Sequence, residues 1–182
     1  MSARQDRSAS RVLWRAARSP ADLCRLAARF IAGEITHFPG WVAPDLDDES
    51  DEIGAHLIRL NELGFLTLAS QPARADQRAF VAGFAWRETA DKLRTMGREL
   101  DVRLFGLVEC DAHAEPISRA DGRFHAFAGH DARREELDCF EDDVSPEMLT
   151  VLHEAIYVSA FDPVWNRHEL LWSEMLKALE RA

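Results

Sequence analysis

Polar side chains that could bind a ligand gather between residues 67 and 78, where one apolar run ends and the next begins. They are Thr67, Ser70, Gln71, Gln77 and Arg78. Hydroxyl and amide groups orient small polar molecules, and an arginine binds a carboxylate or phosphate through two parallel hydrogen bonds. The spacing is also typical of a strand-ending turn at 70–72 followed by a surface arginine. The segment is therefore a candidate ligand site, with an ordinary turn as the alternative.

A second candidate site is the segment 162–167, with the sequence Asp-Pro-Val-Trp-Asn-Arg. It follows the last predicted strand, and sheets in α/β proteins tend to form their ligand crevice at strand ends. Asp162 could act as a general base or accept a ligand hydrogen bond, Arg167 could hold an anion, and Trp165 could stack on a ligand. Alternatively, Asp162 caps a helix and Trp165 fills the core. The two interpretations do not exclude each other.

Four residues loosely resemble a zinc-ligand set with the spacing C-x2-H-x11-H-x4-H: Cys110, His113, His125 and His130. The intervals are permissive, and the seven histidines of the chain make chance matches common. Cys110 also ends an apolar run, where a buried thiol is frequent. The chain has no G-x-S-x-G elbow, phosphate-binding glycine loop or dinucleotide fingerprint. We therefore expect no metal and no cofactor, and zinc remains the weakest alternative.

The elements that must position these residues follow from hydrophobic periodicity and capping signals. Strands are predicted over 65–70, 78–85, 102–110, 124–127 and 155–161. Helices are predicted after Ser19, over 50–64 and 90–100, briefly from Ser145, and after Pro163. This order predicts an α+β fold, with a mixed sheet of four to five strands and helices packed mainly on one face. We assign residues 19–182 to one domain.

The first 18 residues are basic and form an N-terminal tail or a first helix. Their arginines recur every three or four residues: Arg4, Arg7, Arg11, Arg15 and Arg18. Together with the interspersed serines they resemble a transit peptide. Since arginine is the usual base throughout this chain, which has only two lysines, we favour a frayed tail leading into the first helix.

Charge and composition narrow the classes of partner. The net charge of −10 argues against general nucleic-acid binding, which requires a broad basic surface. Acidic residues concentrate at 45–52 and at 131–143, either as solvated faces or as a docking surface for a basic protein. Scattered cysteines and the absence of any long apolar run predict a cytoplasmic protein that does not cross a membrane.

Several segments together resemble an uncharacterised, mostly actinobacterial domain-of-unknown-function family. The matching residues are Asp22-Leu23, Gly33-Glu34-Ile35, the run from Leu60 to Thr67, Ser70-Gln71-Pro72, Gln77-Arg78-Ala79, Val81, Gly83, Phe84, Asp162-Pro163, Trp165, Arg167, Leu171 and Trp172. The chain departs from the pattern at Ala73 and Asn166, where glycine is expected. The resemblance implies a single-domain bacterial cytoplasmic protein and transfers no catalytic role.

From these observations we expect a non-catalytic domain that binds a protein or a small polar ligand, with an immunity- or inhibitor-like role as one version. A homodimer is possible. The alternative is a small enzyme for a polar or phosphorylated molecule. In that enzyme Arg78 and Arg167 would hold the anion, Asp162 would act as acid or base, and Ser70 and Gln71 would orient the substrate.

Overall fold

A computed structural model describes residues 3–43, 50–106 and 113–181. The helices in these ranges are α1 (Ala3–Ala16), α2 (Pro20–Ile31), a 3-10 turn (Asp51–Ile53), α3 (Gly54–Glu62), α4 (Arg87–Leu93), α5 (Arg133–Asp138), α6 (Pro146–His153) and α7 (Leu170–Glu180). The strands are β1 (Phe65–Gln71), β2 (Phe80–Ala85), β3 (Asp101–Phe105), β4 (Glu115–Ala120), β5 (Arg123–Ala128) and β6 (Ile156–Phe161). The predicted α+β class is confirmed.

The main sheet has four strands in the order β1-β2-β6-β3, and every neighbouring pair is antiparallel. The prediction of a mixed sheet is therefore wrong. The strands β2 and β3, which α4 connects, do run parallel to each other, because both are antiparallel to β6. However, β6 comes much later in the chain and inserts between them, so no two parallel strands are neighbours.

Helices cover both faces of this sheet, so the prediction that they lie mainly on one face is also wrong. Side chains of β2 alternate between two apolar clusters. The first cluster contains Phe80, Ala82 and Phe84, and the second contains Val81 and Ala85. The first cluster includes residues of α1, α2, α5 and α6, and the second includes residues of α3, α4 and α7. Every residue of β2 and β6 is buried, as expected of strands covered on both sides.

The edge strand β1 is irregular at the point where it passes Gly83 of β2. The register shifts between Thr67 and Ala69, and a Cβ atom on Gly83 would overlap the carbonyl oxygen of Leu66. Glycine at this position therefore permits a close approach of the two backbones. The buried Asn61 amide also supports the irregularity, because its Oδ1 accepts from the Thr67 N–H and its Nδ2 donates to Thr67 Oγ1.

For the first 18 residues the structure has a helix, α1, in place of a frayed tail. The Trp14 side chain is fully buried, and its Nε1–H donates to the carbonyl of His37. Arg11 Nε donates to Asp143 at 2.6 Å, and Arg15 donates to the carbonyl of Asp142. The basic face of α1 thus binds the chain's own second acidic segment. In the described part of the chain, no helix is both long and apolar enough for a bilayer crossing.

The hairpin β4–β5 forms a small second sheet that joins the segment before β2. The strand β4 is not among the predicted strands. In the structure Pro116 lies in β4, beside a register irregularity, in a sheet that has two strands among the described residues. Arg78 N–H donates to the carbonyl of Ile117, and Arg119 N–H donates to that of Asp76. These bonds hold the hairpin beside the connection between β1 and β2.

Candidate functional site

The structure divides the eight predicted site residues into two groups. Gln71, Gln77, Arg78, Asp162, Trp165 and Arg167 lie in one region, where the β1–β2 connection meets the hairpin and the loop after β6. Thr67 and Ser70 instead line a cavity beside β1. The structure therefore brings six of the eight residues together and leaves Thr67 and Ser70 apart from them.

Gln71 and Arg78 attach the hairpin to the main sheet. Gln71 Nε2 donates to the carbonyls of Arg78 and Ile117, both at 2.8 Å, and Arg78 Nη1 donates to the carbonyl of Pro116 at 2.8 Å. Gln77 connects the same region to the loop after β6, because its backbone carbonyl accepts a hydrogen bond from the backbone N–H of Asn166. The amide of Gln71 and one guanidinium nitrogen of Arg78 are thus committed to backbone partners, and neither arrangement requires a ligand.

Trp165 is the centre of this region. The guanidinium carbons of Arg78 and Arg119 lie 4.6 and 4.5 Å from its ring centroid, within the range of cation–π attraction. The ring of Phe124 stacks on it with a centroid distance of 6.4 Å and an interplanar angle of 13°. Trp165 is only partly buried. It therefore neither fills the core nor protrudes alone, and it links the hairpin to the loop after β6.

Asp162 and Arg167 form an ion pair beneath this surface. Asp162 is fully buried, and Arg167 donates to both of its oxygens, from Nε at 2.5 Å and from Nη2 at 2.7 Å. The Asp162 Oδ1 atom also accepts from the backbone N–H of Val164, which is the local turn-forming bond expected of aspartate before proline. Arg167 makes a further ion pair with Glu99. Asp162 thus shapes the loop that presents Trp165.

Three exposed apolar side chains complete the surface, and none of them was a predicted site residue. Phe124, Phe127 and Val164 are 56%, 46% and 47% exposed, and the rings of Phe124 and Phe127 are 6.5 Å apart. Sequence alone marked Phe124 and Phe127 only as members of a weak strand. Their position beside Trp165 depends on how the hairpin docks. We refer to Phe124, Phe127, Val164 and Trp165 with Arg78 and Arg119 as the aromatic–arginine patch.

The candidate metal and nucleophilic groups do not form a second centre in the described ranges. Cys110 lies outside the described residues, so the proposed zinc set is incomplete there. Within residues 3–43, 50–106 and 113–181, no three His, Cys, Asp or Glu side chains are close enough together to hold a metal ion. Burial raises the pKa of the Cys24 thiol to about 12, so it stays protonated and is not a nucleophile at neutral pH.

A buried polar network that the sequence analysis missed lies under α1. His37 Nε2 is 2.8 Å from Asp143 Oδ2, and Arg7 Nε donates to His37 Nδ1. With Nδ1 as the acceptor, the neutral tautomer donates from Nε2 to the carboxylate. Burial lowers the pKa of His37 despite the nearby Asp143 carboxylate. Arg11 also binds Asp143, so the network joins α1 to two loops.

Comparison with known proteins bears on the family and not on the chemistry. The search of curated proteins finds no match to the chain. A family model described as a domain of unknown function, DUF6919, matches residues 9–182. This match starts inside α1 and extends through α7, so it includes both the cavity beside β1 and the aromatic–arginine patch. The chain belongs to the DUF6919 family, a domain of unknown function.

Proposed function

We propose that this chain is a non-catalytic binding protein whose recognition surface is the aromatic–arginine patch. The observation that carries the proposal is Trp165, which two guanidinium groups and Phe124 hold in place beside exposed Phe127 and Val164. Contiguous exposed apolar groups mark interaction sites. Tryptophan and arginine are also the residues most enriched among those that dominate binding energy.

The patch favours a protein partner that offers apolar side chains together with carboxylates. Arg119 lies over Trp165, and the exposed Arg123 begins the strand that carries both phenylalanines. Neither arginine has a carboxylate partner within the part of the chain that the structure describes. An incoming carboxylate could therefore pair with them without first displacing an internal acid. Free thiols at Cys24 and Cys139 support a partner in a reducing compartment such as the bacterial cytoplasm.

The enzyme alternative receives less support from the same geometry. A general acid or base must reach the proton that it transfers. Asp162 is fully buried, and both of its oxygens accept hydrogen bonds from Arg167. For Arg167 to bind a substrate anion instead, it would have to leave a buried carboxylate unpaired, which is costly. These contacts favour a structural role for the pair and a binding role for the surface above it.

A second candidate surface could bind a basic protein. The segment 131–142 exposes five carboxylates, on Asp131, Glu135, Asp138, Glu141 and Asp142. Asp143, which the sequence analysis assigned to the same acidic docking surface, is buried against His37 and Arg11 and belongs to the fold. Of the first acidic segment, residues 45–49 lie outside the described residues, and Glu52 pairs with Arg74. A charge-reversal test of this candidate should therefore spare Asp143.

Selection from a random peptide library displayed on phage would test the patch directly. We expect enriched peptides that combine Asp or Glu with aromatic or aliphatic residues. The double variant Phe124→Asp/Phe127→Asp should bind them at least about 10-fold more weakly, a loss of about 1.4 kcal/mol. The matched control is Val12→Asp/Val42→Asp, which makes the same change at two exposed apolar residues outside the patch. Circular dichroism would confirm that both variants fold.

The possible results separate the two candidates. Peptides that bind the patch variant and the control equally well would rule out the patch as the recognition surface. Selection of lysine- and arginine-rich peptides would instead support the acidic face, and charge reversal at Glu135 and Asp138 should then abolish their binding. Light scattering would show whether the partner is a second copy of this chain. In that case the unmodified protein would be a dimer and the patch variant a monomer.

A further inference from the structure

A cavity of about 140 Å³ lies beside the edge strand β1, away from the aromatic–arginine patch. Helix α2, helix α3, the turn around 38–41 and the irregular part of β1 form its walls. Its larger apolar lining residues are Phe30, Ile31, Phe38, Trp41, Leu57 and Leu68. None of these residues belongs to the patch, so the cavity is a separate site.

The lining indicates a neutral ligand. Among the described residues that line the cavity there is no Asp, Glu, Lys, Arg or His. The transfer of an ion into such an environment without a compensating charge is strongly unfavourable. The phosphorylated substrate of the enzyme alternative therefore does not suit this cavity, although Ser70 and Thr67 lie in its wall.

The volume indicates the size of the ligand. An apolar cavity of about 150 Å³ in a protein interior accommodates benzene. A cavity of about 140 Å³ with an opening to solvent thus accommodates one six-membered ring, with a small substituent at the mouth.

Three hydroxyl-bearing residues, Ser50, Thr67 and Ser70, give the cavity a polar side. Thr67 Oγ1 accepts from Asn61 Nδ2 at 2.7 Å, so the hydroxyl proton of Thr67 remains to be donated elsewhere. Asn61 cannot reverse its amide without losing two further bonds, because its Nδ2 also donates to the Leu57 carbonyl and its Oδ1 accepts from the Thr67 N–H. Thr67 therefore keeps one hydroxyl proton that it can donate to a ligand.

We propose that this cavity binds a small, neutral, single-ring molecule bearing one oxygen acceptor, such as a phenol or a cyclic ketone. The ring contacts Phe38, Trp41 and Leu68, and the oxygen accepts from Thr67. This proposal does not depend on the patch, and the chain could bind such a molecule and a protein at the same time.

Titration of the ¹⁵N-labelled protein with 4-methylphenol, toluene and phenyl phosphate tests the proposal. We expect saturable shifts of the Thr67, Ser70 and Trp41 amides with 4-methylphenol. Toluene should bind the same residues about 5-fold more weakly, because it lacks the hydrogen bond. Phenyl phosphate should cause no shift there. Shifts that are unsaturable or scattered over the surface, or no shift with either neutral probe, would overturn the proposal.

Two variants locate the binding. Leu68→Trp fills the cavity from a partly buried position and should abolish binding of both neutral probes. Leu149→Trp, at a partly buried residue of the same apolar cluster that does not line the cavity, should bind them as the unmodified protein does. Thr67→Val should reduce 4-methylphenol binding to the level of toluene. If that variant fails to fold because Asn61 loses a partner, the Leu68→Trp result still decides, since unchanged binding there contradicts the proposal.

Discussion

His37 shows how the role of a single residue depends on its neighbours. In the sequence it stands before Phe38, Pro39 and Gly40, and no local pattern predicts that its side chain is buried. In the structure it is buried, with Asp143 on one ring nitrogen and Arg7 on the other, and Arg11 binds the same carboxylate. Burial and, to a smaller extent, the two arginines disfavour the imidazolium, and Asp143 only partly offsets them.

This environment predicts that acid weakens the fold through His37. Since its folded pKa lies below the ordinary value of 6.5, the unfolded chain binds the proton more readily. The contribution of His37 to the free energy of unfolding is fully present above about pH 6.5. It is lost as the pH falls toward the folded pKa, by at most about 1.4 kcal/mol per pH unit. We expect the free energy of unfolding to fall more steeply from pH 7.5 to 5.5 in the unmodified protein than in His37→Gln. Parallel curves for the two proteins would contradict the assignment.

Helix α1 shows how an element acquires its role from packing. Its arginines, spaced for one helical face, suggested a targeting segment, a frayed tail or a first helix. The structure has a packed helix, in which Trp14 is fully buried and contacts Phe38 and Phe140 edge-on, with ring centroids 5.2 and 6.1 Å away. The arginines then bind the acidic loop across from them, so α1 belongs to the layer that covers one face of the sheet.

Replacement of Trp14 by alanine should therefore destabilise the whole fold. Deletion of a buried tryptophan side chain costs about 3–5 kcal/mol, because apolar contacts are lost and a cavity remains. Val12, in the same helix but 61% exposed, supplies the control, and Val12→Ala should change the free energy of unfolding by less than about 0.5 kcal/mol. Urea denaturation monitored by circular dichroism measures both. Equal, small effects would mean that α1 is not part of the cooperative unit.

At the scale of the whole molecule, two apolar clusters share one sheet. Successive side chains of β2 and β6 enter opposite clusters, so neither cluster can lose its strands while the other remains intact. We therefore expect residues 19–182 to unfold as one domain together with α1. Fluorescence of Trp14 in one cluster and of Trp172 in the other, each measured in a variant whose other four tryptophans are replaced by phenylalanine, should report the same midpoint as the far-ultraviolet signal of that variant. Separate midpoints would indicate two independent units.

Much of the local structure was predictable from the sequence because it depends on neighbouring residues. Ser19 and Ser145 cap α2 and α6 through their side chains, as the Ser-Pro pairs indicated. The five predicted strands correspond to observed strands, although the segment 102–110 is described only as far as residue 106. The strand β4 was missed because it contains Pro116, and proline is rare in strands. Its pairing with β5 in a separate sheet cannot be inferred from neighbouring residues.

The sequence by itself determined the α+β class, most strand positions, the family and the two segments that meet near Trp165. Only the tertiary structure decided that β6 inserts between β2 and β3, that helices cover both faces, and that Asp162 binds Arg167 beneath an exposed aromatic surface. It also decided that Ser70 and Thr67 line a separate cavity. The physical reason is that capping and periodicity act over a few residues, whereas strand order, burial and the pairing of charges depend on groups far apart in the chain.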